Sequence, residues 1–167
     1  MTEDVPPIDP IYEARRQWAA HGWDDAADGM AIVTGITRVH QIFMGRVDAV
    51  LRPMGLTFAR YELLVLLSFS RKGAMTMKRI GSLLQVHPTS VTSVVDRLES
   101  QGFVQRRADT DDGRSVRVHL LKPGRRIAAE ATEVLNAEVF EKLGLKSRDL
   151  QSLARILTGI RSSAGDF

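Results

Sequence analysis

The stretch Val86–Leu121, VHPTSVTSVVDRLESQGFVQRRADTDDGRSVRVHLL, decides how this chain is read. Pro88 suits the first turn of a helix, where its missing N–H costs nothing. Val91, Val94, Val95 and Leu98 then recur at i, i+3, i+4 and i+7, which places them on one helix face. Thr89, Thr92, Ser93 and Arg97 fall on the other sides. Val, Ser and Thr are mediocre helix formers, so packing rather than propensity must hold this helix over 88–100. Gly102 closes it. Two strands follow, Phe103–Arg107 and Ser115–Leu121. In the second, Val116, Val118 and Leu120 alternate with Arg117 and His119, giving one apolar and one basic face. Between the strands, ADTDDGR is too polar to pack and carries the Asp-Gly turn signal.

Short hydroxyls on an exposed helix side fit close approach to a DNA groove, where they can bond bases or phosphates. An ordinary amphipathic helix with Ser and Thr outside has the same pattern, so the helix alone leaves both readings open. The hairpin shifts the balance. Arg106, Arg107, Arg114 and Arg117 make it basic, while its acids gather at the turn. An Arg near a hairpin tip can enter a minor groove, where negative potential is focused. Asp109 and Asp112 read as turn-forming residues, since carboxylates repel phosphate. The segment LLQVHP before the helix has about the length of a helix-turn-helix turn.

Charge agrees with this reading. The chain of 167 residues has a net charge of +3, unevenly spread. Residues 71–126 hold 12 Lys+Arg against 5 Asp+Glu, a net +7, between segments of −3 and −1. A basic middle between acidic ends is a footprint for a polyanion. There is no cysteine, hence no disulfide, thiolate metal site or thiol redox switch. His21, His40, His87 and His119 show no metal-ligand spacing. No Ser-His-Asp order, paired catalytic carboxylates or phosphate loop points to an enzyme. With 44% hydrophobic residues the chain can bury a core. Neither a signal peptide nor a membrane-length apolar run appears, so a soluble, cytoplasmic protein is expected.

Outward from the central stretch, helices are expected on both sides. Residues 1–8 read as a disordered tail. Asp9-Pro10 is an N-cap and N1 pair opening a short helix with Ile11, Ala14 and Trp18 on one face. A long helix runs from Asp24 or Asp25 to about Arg52, with Met30, Val33, Ile36, Phe43, Val47, Val50 and Leu51 as its stripe. Pro53 and Gly55 stop it. Thr57 opens FARYELLVLLSFS, apolar nearly all round and so central. Thr76 caps a helix over about 77–84. After the hairpin come helices at about 123–143 and 147–163.

The quoted stretch, extended to LLQVHPTSVTSVVDRLESQGFVQRRADTDDGRSVRVHLLKPGRR, resembles the core of the MarR family of winged-helix regulators. Val95-Asp96-Arg97-Leu98-Glu99 matches the family's V-D-R-L-E, and Gly102-Phe103-Val104-Gln105-Arg106 its G-(L/F)-V-x-R. Asp109-Thr110-Asp111-Asp112-Gly113-Arg114 matches the wing D-x-x-D-x-R, and Val118–Gly124 the strand exit. Two positions depart. Gly113 replaces the first of the paired wing arginines, which leaves Arg114 to carry wing contact. Leu121 replaces the strand-exit Thr, which removes the usual hydroxyl cap of the next helix.

The resemblance implies a mainly α fold with a two-stranded β-wing, a winged helix-turn-helix domain with N- and C-terminal dimerisation helices. Its parts are helices 9–56, a DNA-binding core 57–122 and helices 123–167. The DNA-binding set is Lys78, Pro88, Thr89, Ser90, Thr92, Ser93, Arg97, Arg107 and Arg114. Members are similar in being homodimers on palindromic operators. Apolar positions Val134, Leu135, Val139, Phe140, Leu143, Leu150, Leu153, Ile156, Leu157 and Ile160 support a dimer independently, because they are more than one winged core is expected to cover. The resemblance also implies a repressor released by a small anionic aromatic effector, with His40, Met44, Arg60 and Tyr61 as candidate lining. The alternative is a ligand-independent DNA-binding regulator or architectural protein. No cofactor or metal is expected.

Overall fold

The computed structural model describes residues 8–84, 88–108 and 115–167. The chain divides into two compact units, residues 1–49 and 50–167. In the first, α1 (Pro10–Ala20) starts where Asp9 accepts a hydrogen bond from the Ile11 N–H at 2.9 Å. That contact satisfies one of the amides a helix start leaves orphaned. Arg15 is paired with Asp28 at the start of α2 (Asp24–Leu51). Trp18 meets Trp23 edge to face with centroids 5.3 Å apart. Both edge-to-face geometry and spacing are favourable for aromatic rings. Ile32, Val33, Ile36, Val39 and Ile42 of α2 are exposed.

The second unit begins at the end of α2. A 3-10 turn, Arg52–Met54, breaks the helix, and Gly55 takes the left-handed conformation that ends it at φ 70°. Helix α3 (Phe58–Phe69) is capped by Thr57, and its Leu63, Leu64 and Leu67 are completely buried. An apolar helix of this kind belongs at the centre of a core. Around it stand α4 (Met77–Leu84), α5 (Pro88–Ser100) and α6 (Lys122–Leu135). Helix α6 continues into a π-helical segment, Asn136–Phe140, and α7 (Ser147–Ser163) follows.

The wing strands are β2 (Val104–Ala108) and β3 (Val116–Leu120), antiparallel with Val104 opposite Leu120 and Arg107 opposite Arg117. Two strands are expected from the sequence, and the structure adds a third. Residues Ala74–Thr76 form β1, which pairs with the other edge of β3, so the sheet order is β1-β3-β2. Three residues are too few to show the alternation by which strands are read. Pairing on both sides leaves no open edge on β3, which removes an aggregation-prone template.

Leu121 makes no side-chain cap for α6. Gly124 explains how the chain turns there. A Cβ at this position would lie 2.9 Å from the Phe103 carbonyl carbon, so only glycine lets the helix start approach that backbone. Leu135 and Val139, read from sequence as part of an interface face, are instead buried inside this chain. Leu150, Leu153, Ile156, Leu157 and Ile160 of α7 are exposed.

Candidate nucleic-acid interface

Helix α5 forms as its sequence dictates. Val91, Val95 and Leu98 are buried at 2% exposure or less, and each such side chain contributes about 1.5–3 kcal/mol. Val94 is half-buried. Thr89, Ser90, Thr92, Ser93 and Arg97 are all exposed, so the structure brings these five together on one solvent-facing surface. Lys78 is exposed on α4, the helix that precedes α5 in the chain. Pro88 is the first residue of α5. Arg107 is exposed on β2, where its guanidinium donates to the Gln105 side-chain oxygen at 2.8 and 3.1 Å. Arg114, Asp109, Asp112 and His87 lie outside the described residues.

What fixes the wing against the helix is Arg106, expected from sequence as a basic hairpin residue and as the Arg of the G-(L/F)-V-x-R match, with no partner assigned to it. Its guanidinium reaches Asp96 at 2.6 Å and Glu99 at 2.6 Å, both on α5. Its backbone N–H donates to Glu99 at 2.7 Å, and the guanidinium also reaches the Thr92 carbonyl at 3.4 Å. The Arg106 N–H, then its guanidinium, hold the Glu99 carboxyl below the usual carboxylate range. Asp96 and Glu99 stand one turn apart on α5, and this spacing is the signal that could have found the clamp. It also answers an electrostatic problem. Two carboxylates beside a DNA-facing surface would repel phosphate, and Arg106 neutralises them while preserving the exposed Arg97.

Beside this surface, an open groove of about 510 Å³ runs between the start of α3 and α5. Thr57, Arg60, Ser93, Asp96 and Arg97 line it. Arg60 and Arg97, assigned from sequence to different sites, therefore border one groove. Arg60 donates to the Gly55 carbonyl at 2.9 Å and to the Thr57 hydroxyl at 3.2 Å. Tyr61 is buried, and its hydroxyl is hydrogen-bonded with Thr132 on α6 at 3.0 Å. His40 and Met44 belong to α2 in the first unit, with His40 exposed and Met44 half-buried. Among the described residues, no group of three or more His, Cys, Asp or Glu is placed to hold a metal ion. No helix among them is long and apolar enough to cross a membrane.

A helix pair, an exposed hydroxyl-rich second helix and a basic β-hairpin bolted to it define a winged helix-turn-helix protein. Residues 57–116 match the MarR family model. An HTH-type transcriptional repressor of Mycobacterium tuberculosis is 32% identical over 114 residues, 68% of this chain and 78% of that protein. The crystal structure of a MarR family transcriptional regulator from Streptomyces coelicolor is 43% identical, with a TM-score of 0.75 over 84% of this chain and 97% of that one. CouR from Rhodococcus jostii, solved bound to p-coumaroyl-CoA, is 25% identical, with a TM-score of 0.68 over 77% and 90% of the two chains. The chain belongs to the MarR family. It is a DNA-binding transcriptional regulator, and its family is one of regulators rather than enzymes.

Proposed function

We propose that the chain represses transcription as a homodimer on a palindromic operator, and that a small anionic aromatic ligand releases it. The observation that carries the reading is the exposed face of α5. Thr89, Ser90, Thr92, Ser93 and Arg97 present short donors and one cation, and Arg106 fixes their position relative to the wing. Short side chains let the helix sit deep in a major groove, and Arg97, Lys78 and Arg107 supply phosphate contacts. Arg114, expected from sequence in the wing turn, adds a minor-groove contact. Residues 57–122 are the DNA-binding core, and helices within 9–56 and 123–167 join the two copies.

A two-fold dimer sets two α5 helices one DNA turn apart and so requires an operator with matching symmetry. For the effector, the support is the groove carrying Arg60 and Arg97, whose guanidinium groups suit a carboxylate. The aromatic thioester bound by CouR supports a ligand with a planar ring. Footprinting on DNA flanking the chain's own gene tests the proposal, with a panel of aromatic carboxylates added to the bound complex. A symmetric protected site that one of them dissolves is expected. Failure to bind any such duplex at low salt would overturn the operator reading. Stable binding under every ligand would leave a ligand-independent regulator.

A further inference from the structure

The wing sheet has a second face. Thr76, Arg117 and Arg107 lie opposite one another across β1, β3 and β2, so their side chains share one side. Val104 and Val118 point to the other side, which is buried and against which α5 packs. The basic side is thus turned away from the hydroxyl-bearing helix. At its β1 edge is a cavity of about 530 Å³. Arg71, Lys72, Arg79 and Arg117 line it, together with Thr76 and Phe69, and no carboxylate does. Among the described residues, no acidic side chain pairs with Arg71, Lys72 or Arg79.

Like charges gathered around a concavity repel, and low-dielectric walls focus the field. An anion inside removes that repulsion. A chain of phosphates does so most fully, because several oxygens meet several donors at once. Phe69 adds a second requirement. It is 80% exposed, the most exposed large apolar side chain among the described residues, and it borders this same cavity. A ring left in water beside guanidinium groups offers a stacking surface to a planar partner. The geometry points to a site for a small organic polyphosphate bearing a flat ring, in chemical class a nucleotide, on the outer face of the wing sheet. This site is separate from the hydroxyl-bearing face of α5 and from the groove beside Arg60, and Arg107, on the far strand of the same sheet face, does not line it.

Calorimetric titration of the full chain without DNA tests this, with ATP and inorganic triphosphate as probes. One equivalent per chain is expected for each, with ATP the tighter. Arg71→Gln/Lys72→Gln/Arg79→Gln should weaken both by about tenfold or more, as expected when charge-assisted hydrogen bonds are lost. Phe69→Ala should weaken ATP by at least about fivefold and leave triphosphate unchanged. Lys142→Gln/Arg148→Gln/Arg155→Gln removes the same charge elsewhere and should change neither. Circular dichroism confirms that all variants remain folded. The proposal is overturned if neither probe saturates at millimolar concentration, or if the two triple variants lose equally. It is also overturned if the cavity variant keeps both probes but loses duplex affinity, which would assign this face to flanking DNA.

Discussion

Arg106 makes an arginine's position matter more than its charge. It spends its guanidinium on Asp96 and Glu99 and so cannot serve as a free phosphate contact. Because the Glu99 carboxyl is held below its ordinary range, the clamp contributes stability above the unfolded-state carboxylate pKa. That contribution is lost as pH falls through the lower folded-state value. Glu99→Gln should therefore cost about 1 kcal/mol near neutral pH, a figure reduced for partial exposure. The gap to the wild type should close on acidification. Urea denaturation across a pH series measures this, and a gap that stays constant with pH would remove the ion pair from the account. A different outcome is expected at Thr92 and Ser93. Each →Ala change should cost about 1–3 kcal/mol on the cognate duplex and little on scrambled DNA, if these hydroxyls read bases. Equal losses on both duplexes would assign them to phosphates.

Helix α5 and the strands flanking the wing were legible because each obeys a period. Val91, Val95 and Leu98 mark a helix face, and Val116, Val118 and Leu120 a strand alternation. Strand β1 was not legible, since Ala74–Thr76 forms only by pairing with β3, a partner about forty residues away in a sequence that gives no sign of it. The Arg106 clamp was half hidden for a similar reason: the spacing of Asp96 and Glu99 marks an acidic pair on one face of α5, but a basic run does not reveal which of its arginines meets that pair. Burial of Leu135 and Val139 was missed because helical spacing shows that a face is apolar, not what covers it. Gly124 shows what close element packing demands. Its helix start approaches Phe103 so closely that Gly124→Ala must push the backbone apart. Overpacking of this kind costs about 1–3 kcal/mol. Thermal unfolding should show the loss, and an unchanged midpoint would mean that the turn between β3 and α6 yields freely.

Within one copy, α7 has no buried residue, although Leu150, Leu153, Ile156, Leu157 and Ile160 recur at helical spacing. An exposed helix of 17 residues is marginal in water when tertiary packing does not hold it. The proposed dimer supplies that packing, and it makes operator affinity depend on residues that never touch DNA. Ile156 is 50% exposed and Ile160 49%, so acidic substitutions there cost little in a single chain. In an apolar interface between copies, each would bury a charge without a partner. Ile156→Glu/Ile160→Glu should therefore sediment as a monomer while the winged core keeps its circular dichroism. Two half-sites then act independently, and operator affinity collapses. The salt dependence gives an internal check. Each phosphate neutralised adds about −0.9 to the slope of log affinity against log salt, so a monomer should show about half the wild-type slope. A variant that still sediments as a dimer, or a monomer that retains the full slope, would mean that the exposed face of α7 does not join the two copies.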